Sequence, residues 1–223
     1  MANIAIILFG GNSTRFKADT SKQLFEVNGH PLAFYAIKPF VISKLIDKIV
    51  IVVNESCENK IKEIAKDFDK DIFFVDGGKT RNESVFNALK SIEDTTKDND
   101  IVLIHDGARL CLEEKQIKSL ITALNEYDAA TLALPMEDTI ATTVSDLIKD
   151  VPNRNKYVKI QTPQAFRYSS IMYAHEYNKI ADASDDTQLA INCGYDVAII
   201  EGSKKLSKIT TIEDIEMIRK YLD

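Results

Sequence analysis

The chain has 223 residues, with 28 Lys and Arg against 34 Asp and Glu, and therefore a formal net charge of −6. Hydrophobic residues make up 45% and charged residues 28%, which excludes a disordered chain, a collagen-like fibre and a disulfide-stapled miniprotein. The acidic balance argues against nucleic acid and anionic membranes as partners, but it allows a local basic pocket for a phosphorylated ligand.

Cysteine spacing and the length of the apolar runs indicate where in the cell the protein is expected. Cys57, Cys111 and Cys193 lie far apart at unrelated spacings, so they predict neither a zinc site nor a disulfide framework. The apolar stretch Ile4–Phe9 is too short for a signal peptide or a membrane span. We therefore expect a cytoplasmic protein.

Short runs rich in Ile and Val alternate with segments of helical periodicity over the first 135 residues. The predicted strands are Ile4–Phe9, Lys48–Val53, Asp71–Val75, Ile101–Ile104 and Ala129–Leu134. The predicted helices between them are Leu32–Ile42, Glu58–Lys66, Glu83–Ser91 and Lys115–Asn125. This alternation predicts an α/β fold with a mostly parallel sheet covered on both faces, which binds its ligand at the carboxyl ends of the strands.

The alternation stops after Pro135. Residues 136–160 are polar and show no helical pattern, so we interpret them as an inserted hairpin arm on one domain that spans residues 1–223. Two helices are predicted next, at Ser169–Ile180 and Asp185–Asn192. A strand at Asp196–Ile200 and a helix at Ile212–Tyr221 complete the pattern.

A glycine pair and two cations follow the first strand. Phe9-Gly10-Gly11-Asn12-Ser13-Thr14-Arg15 leads to Lys22. Glycines let the backbone approach a ligand closely, and the two cations can hold phosphate oxygens, so this loop predicts phosphate binding. Its spacing matches neither the dinucleotide fingerprint nor the P-loop. The alternative is an ordinary turn with solvated cations.

Two further strand ends carry polar residues. Gly77 and Gly78 precede Arg81 and Ser84, which predicts a second ligand loop or, alternatively, a turn whose helix is capped by Asn82. Asp106 ends the fourth predicted strand, where a carboxylate can hold Mg²⁺ against phosphates, and Arg109 could bind a second anion. The alternative for Asp106 is a turn or capping role. The neighbouring His105 is interpreted as a structural side chain.

The remaining motifs gain weight from their order along the chain. They are Gln161-Thr162-Pro163-Gln164-Ala165-Phe166, Ser184-Asp185-Asp186 and Lys208-Ile209-Thr210. Taken singly, they are typical of a turn, of a helix N-cap at Ser184 and of a solvated cation. Together with the glycine loops, they make the chain from Ile4 to Leu222 resemble the 2-C-methyl-D-erythritol 4-phosphate cytidylyltransferase family. The related ribitol 5-phosphate cytidylyltransferases are similar as well.

This resemblance implies a fold, a reaction and a set of site residues. The fold is a Rossmann-like nucleotidyltransferase sheet with a β-arm that interlocks two subunits, and the reaction transfers CMP from CTP to a sugar-alcohol phosphate. The residues implied to contact CTP are Phe9, Gly10, Gly11, Asn12, Ser13, Thr14, Gly77, Gly78, Arg81, Ser84, Asp106 and Gly107. Arg15, Lys22 and Lys208 would surround the reacting α-phosphate, and Asp106 would hold Mg²⁺. The acceptor would contact Arg109, Thr139, Arg154, Thr162 and Ser184, with Thr139 and Arg154 supplied by the partner's arm.

Several positions depart from the family pattern. Phe9 and Gly107 stand where alanine is usual, and Ser21 replaces a proline before Lys22. No departure removes a cation or carboxylate that the chemistry needs. A ribitol 5-phosphate enzyme and a catalytically weak nucleotide-binding paralogue are the alternatives, and a dinucleotide oxidoreductase is disfavoured by the glycine spacing.

Overall fold

A seven-stranded sheet forms the centre of the molecule. The computed structural model describes residues 1–10, 16, 21–178 and 183–222. The strands in chain order are β1 (Asn3–Leu8), β2 (Glu26–Val27), β3 (His30–Pro31), β4 (Lys48–Val53), β5 (Ile72–Asp76), β6 (Ile101–Asp106), β7 (Ala129–Pro135), β8 (Thr142–Val144), β9 (Leu147–Asp150), β10 (Val158–Arg167) and β11 (Val197–Glu201). The sheet has the order β11-β7-β10-β6-β1-β4-β5. All its pairings are parallel except those of β10, which confirms the predicted α/β fold.

Helices cover both faces of this sheet. They are α1 (Leu32–Ile42), α2 (Glu58–Lys66), α3 (Arg81–Ser91), α4 (Glu114–Ala123), α5 (Tyr168–Tyr177), α6 (Asp186–Asn192) and α7 (Ile212–Ile218). The first two have the predicted bounds. The capping role considered for Asn82 is wrong, because the side chain of Thr80 accepts the hydrogen bond from the Glu83 backbone N–H at 3.1 Å and α3 begins at Arg81. Similarly, Asp185 rather than Ser184 caps α6.

Each face of the sheet has its own hydrophobic core. Ala5 and Ile7 of β1 pack among residues of α1, α2, α4 and α7. Ile4 and Ile6 of the same strand point the other way, toward residues of α3, α5 and α6. Successive side chains of a strand face opposite sides of the sheet, so burial on both sides explains the near-continuous apolar character of the central strands.

The long strand β10 runs antiparallel to its neighbours β6 and β7. The turn considered for Thr162-Pro163-Gln164 is therefore wrong: these residues lie inside the strand, with a cis peptide bond before Pro163 and a shift of register between Ile160 and Gln164. Because β10 runs in the opposite direction, its first half lies at the edge where the parallel strands end. Thr162 is thereby brought next to Asp106.

A hairpin of β8 and β9 lies within residues 136–160. The last residues of that range differ from expectation, because Val158 already begins β10 and belongs to the central sheet. The hairpin exposes the apolar side chains of Val144, Leu147 and Ile148 at 60%, 63% and 67%. In the described parts of the chain, every helix is too short or too polar to cross a membrane.

Candidate active site

A cavity of about 440 Å³ opens at the carboxyl ends of β1, β4, β5 and β6. Ligands of open α/β sheets bind at this edge. The residues that line it are Leu8, Phe9, Gly10, Lys22, Gln23, Leu32, Asn54, Gly77, Gly78, Lys79, Thr80, Arg81, Ser84, Asp106, Gly107, Ala108, Lys208 and Thr210. The cavity therefore combines backbone from two glycine loops with three predicted site cations and one carboxylate.

The two glycine loops, one after β1 and one after β5, face each other across the cavity. A Cβ built on Gly77 would lie 3.6 Å from the Cα of Gly10 and 3.3 Å from the hydroxyl oxygen of Ser84. The side chain of Asn54, which follows β4, donates a hydrogen bond to the carbonyl of Gly10 at 3.3 Å. The two strand ends are thus close enough to expose their backbone to a single ligand.

The second glycine loop is fixed to the first turn of α3. The Ser84 hydroxyl accepts a hydrogen bond from the Gly78 N–H and donates one to the Thr80 carbonyl, both at 2.9 Å. The Glu83 carboxylate accepts another from the Lys79 N–H at 2.7 Å. These contacts connect the loop to the helix in three places, so they limit its conformations.

Phe9 connects the first loop with the loop after β6. Its N–H donates to the Val52 carbonyl at 2.8 Å, and its own carbonyl accepts from Gln23 Nε2 at 2.8 Å. Its ring lies so close to Gly107 that a Cβ at residue 107 would come within 2.5 Å of the ring carbon Cδ1. The position of this ring therefore requires glycine at residue 107.

Asp106 is the centre of a charged cluster. Its carboxylate lies 2.9 Å from Lys208 Nζ, 3.4 Å from Arg81 Nε and 3.7 Å from Arg109 Nε. Burial alone would raise the pKa of Asp106, but the three positive charges outweigh that effect and hold the pKa well below its ordinary range. The carboxylate is therefore ionised at neutral pH.

A buried chain of hydrogen bonds runs from the backbone N–H of Asp106 through Thr162 to His105. The Thr162 hydroxyl accepts from the Asp106 N–H at 3.0 Å and lies 3.1 Å from Nδ1 of His105. The other ring nitrogen, Nε2, lies 2.9 Å from the Arg109 carbonyl, which can only accept, so Nε2 carries the proton and Nδ1 accepts from Thr162. Full burial lowers the pKa of His105 to about 4, and the neutral ring agrees with the structural role expected for it.

Two of the three lysines in the described cavity lining, Lys22 and Lys208, are linked through one backbone segment. Lys22 Nζ donates to the carbonyl of Ile209, the residue after Lys208, at 3.0 Å. The N–H of Ile209 in turn donates to the Ala108 carbonyl at 2.9 Å. This segment is therefore attached to the loop that carries Asp106, and it also holds the Lys22 ammonium group.

Arg81 contacts a second carboxylate besides that of Asp106. Its Nη1 lies 2.7 Å from a carboxylate oxygen of Asp186, whose other oxygen lies 3.0 Å from Nε2 of His175. The side chains of Asp186 and His175 are 0% and 3% exposed, and neither residue was predicted to belong to the site. The Ser184-Asp185-Asp186 motif is the available signal, but taken singly it is equally typical of a helix N-cap.

The structure brings together ten of the predicted site residues at the cavity. These are Phe9, Gly10, Lys22, Gly77, Gly78, Arg81, Ser84, Asp106, Gly107 and Lys208. Arg109 and Thr162 lie buried behind Asp106, and Ser184 is exposed near α6. Gly11, Asn12, Ser13, Thr14 and Arg15 lie outside the described residues.

Two predicted acceptor contacts lie away from the described cavity lining. Thr139 and Arg154 are exposed at the base of the arm, where Arg154 Nη1 donates to the Glu137 carbonyl at 2.6 Å. Several lining residues were not predicted, among them Gln23, Asn54, Lys79 and Thr80. Asn54 had a usable signal, since it directly follows a predicted strand.

The described residues offer a metal ion few protein ligands. They contain no group of three or more His, Cys, Asp or Glu side chains that could hold one, and Asp106 is the sole carboxylate of the described lining. Mg²⁺ commonly binds through one or two carboxylates together with substrate phosphates. The ionised Asp106 at the edge of the cavity fits that mode as its one protein carboxylate.

Residues 3–223 match the family described as 2-C-methyl-D-erythritol 4-phosphate cytidylyltransferase. A protein of that name from Thermosipho africanus is 39% identical over 217 residues, which cover 96% of each chain. One from Clostridium perfringens is 38% identical over 224 residues, which cover 98% of each chain.

Among solved structures, the 4-diphosphocytidyl-2C-methyl-D-erythritol synthase from Anaerococcus prevotii is 30% identical with a TM-score of 0.84. The match covers 99% of this chain and 98% of that chain. The 2-C-methyl-D-erythritol 4-phosphate cytidylyltransferase of Francisella tularensis is 28% identical with a TM-score of 0.86, covering both chains fully. The chain belongs to the 2-C-methyl-D-erythritol 4-phosphate cytidylyltransferase family.

Proposed function

We propose that this protein transfers CMP from CTP to 2-C-methyl-D-erythritol 4-phosphate and releases pyrophosphate. The observation that carries the proposal is the arrangement of Arg81 and Lys208 around Asp106, beside two facing glycine loops. Such a cavity lets a triphosphate approach the backbone closely and surrounds it with positive charge. Membership of the family supports CTP as the nucleotide and the methylerythritol phosphate as its acceptor.

The proposed reaction is an in-line substitution at the α-phosphorus of CTP. A phosphate oxygen of the acceptor forms a new bond to that phosphorus, the bond to the oxygen that bridges to the β-phosphate breaks, and pyrophosphate leaves with that bonding electron pair. The attacking oxygen is already ionised near neutral pH, so no general base is needed. Positioning and charge stabilisation then supply most of the catalysis.

Lys22 and Lys208 have the main catalytic roles in this proposal. Both residues line the cavity, and their ammonium groups would stabilise the charge that grows on the α- and β-phosphate oxygens. Arg15 is assigned to the same task from the sequence. Mg²⁺, held by Asp106 and the phosphates of CTP, would neutralise further phosphate charge.

The acceptor contacts and the quaternary structure remain proposals of the same kind. Arg109, Thr139, Arg154, Thr162 and Ser184 are assigned to the acceptor. The exposed apolar hairpin of β8 and β9 supports a homodimer, because it presents uncovered hydrophobic side chains beside Thr139 and Arg154. A cytoplasmic location is proposed from the scattered cysteines and the requirement for CTP.

Pyrophosphate release tests the proposed function directly. The purified protein is supplied with CTP and Mg²⁺, and with either 2-C-methyl-D-erythritol 4-phosphate or ribitol 5-phosphate. We expect release with the first acceptor and a CDP-linked product of matching mass. Release with ribitol 5-phosphate alone would reassign the acceptor, whereas CTP binding in calorimetry without release would indicate a nucleotide-binding paralogue.

A further inference from the structure

Arg81 lines the cavity and also forms an ion pair with Asp186, a residue to which the proposed chemistry gives no role. Its Nε faces Asp106 at 3.4 Å, while its Nη1 contacts Asp186 at 2.7 Å. The Asp186 side chain is 0% exposed and therefore cannot reach a ligand itself. A carboxylate so completely removed from water is unfavourable unless its partners compensate for the lost hydration.

Three helices converge to build this buried contact. Arg81 is the first residue of α3, Asp186 is the first residue of α6, and His175 lies in the last turn of α5. The His175 side chain is 3% exposed, and its Nε2 lies 3.0 Å from the second oxygen of Asp186. Each carboxylate oxygen of Asp186 therefore has its own partner, which fixes the plane of the carboxylate as well as its position.

The orientation of Asp186 determines that of the arginine. A guanidinium at the edge of an open cavity could turn about several bonds, but a short contact to a fixed buried carboxylate removes that freedom. Since Arg81 also contacts Asp106, which contacts Lys208 at 2.9 Å, the geometry of the whole charged wall depends on this anchor.

We propose that Asp186 and His175 are positioning residues, which orient Arg81 for CTP through the contacts His175–Asp186 and Asp186–Arg81. The inference rests on the proposed function, because it assumes that Arg81 contacts the nucleotide. It adds a defined task for two buried side chains that cannot contact substrate themselves.

A double-mutant cycle with Arg81→Gln and Asp186→Asn separates positioning from mere stability. If Asp186 acts through Arg81, Asp186→Asn should raise KM for CTP by about 10- to 100-fold in the wild-type background, with a much smaller change in kcat. In the Arg81→Gln background the same substitution should change KM by about twofold or less. Equal effects in both backgrounds would overturn the proposal.

Asp185→Ala is the matched control for damage to helix α6. Asp185 caps this helix by accepting from the Gln188 N–H at 3.1 Å, and it also accepts from Thr187 and Gln164, whereas the ion pairs of Arg81 are with Asp106 and Asp186. Its loss should lower the melting temperature, and any effect on KM should be the same with and without Arg81. If the control shows the same dependence on Arg81 as Asp186→Asn, the positioning role is contradicted.

His175 provides a second test that leaves both charges of the ion pair in place. His175→Phe keeps an aromatic ring beside Phe86, whose ring lies 6.2 Å away, but removes the hydrogen bond to Asp186. We expect KM for CTP to increase by about 2- to 10-fold. His175→Gln should largely keep the wild-type KM, because Gln retains a hydrogen-bond donor.

These two His175 variants test the positioning role even if Asp186→Asn fails to fold. An unchanged KM for CTP in folded His175→Phe would overturn the inference. If the wild-type protein releases no pyrophosphate, the proposed function has failed instead.

Discussion

The ring of Phe9 occupies the space beside Gly107 that a side chain at residue 107 would need. A Cβ there would lie 2.5 Å from the ring carbon Cδ1 and 2.9 Å from the Leu8 carbonyl. Both residues depart from the alanine that the family pattern leads us to expect. The two departures are therefore coupled, since the larger residue in one loop is accommodated by the smaller one in the next.

Gly107→Ala should destabilise the protein by about 1–3 kcal/mol, because the added methyl group overpacks the contact with Phe9. In a Phe9→Ala background the same substitution should be less harmful by about 1 kcal/mol or more, since the main obstacle is gone. Urea denaturation of the four proteins measures this coupling. Gly10→Ala is the control, because the nearest atom of the described residues would lie 3.7 Å from a Cβ there. Additive effects of the two substitutions would contradict the coupling.

Lys22→Ala should lower kcat by about 10²–10³-fold, as expected for the loss of one electrostatic donor to the transition state. Pyrophosphate release at saturating CTP and acceptor measures the effect. Lys204→Ala is the matched control, since Lys204 precedes the Lys208 segment but is 75% exposed and pairs with Glu137. Turnover close to normal in Lys22→Ala would remove Lys22 from the catalytic role.

The buried ring of His105 predicts a loss of stability on mild acidification. Burial lowers its pKa from 6.5 to about 4, so between these pH values the unfolded chain binds more protons than the folded one. Stability therefore falls as the pH decreases through this window, by about 2 kcal/mol between pH 7 and pH 5 from this residue.

Urea denaturation at pH 7 and pH 5 tests the role of His105. In folded His105→Gln the loss between the two pH values should be smaller by about 2 kcal/mol, because the titrating group is gone. The exposed His30 provides the control, since His30→Gln replaces a histidine outside the core by the same residue. The same pH dependence in His105→Gln as in wild type would show that another group is responsible.

Elements with a clear local pattern could be predicted from the sequence. Leu32–Ile42 and Glu58–Lys66 are helices with the bounds that their periodicity indicates. Strand β10 escapes prediction because its polar residues are satisfied by distant partners. Gln161, for example, exchanges two hydrogen bonds with the backbone of Ser203, at 2.9 and 3.0 Å. Nothing near Gln161 in the sequence indicates that it lies in the middle of a buried sheet.

The same distinction applies to the site. The glycine loops and Asp106 are predictable, because each directly follows a strand and the ends of parallel strands converge. Asp186 is not, since its partner Arg81 is 105 residues away and the acidic start of a helix is an equally good local explanation. Only the packing of α3, α5 and α6 distinguishes a buried anchor from a solvated helix terminus.

Mixed dimers can test whether the arm acts on the partner's site. Lys208→Ala should inactivate the site of its own subunit, whereas Arg154→Ala should inactivate the site of the other subunit if the arm is exchanged. When the two inactive proteins are mixed and allowed to exchange subunits, half of the dimers become mixed, and each contains one intact site. Activity should therefore recover to about a quarter of the wild-type level. If the arm instead serves its own subunit, every site in the mixture carries one of the two substitutions and activity stays at the level of the separate variants. A monomeric mass in light scattering at micromolar concentration would also contradict the exchange.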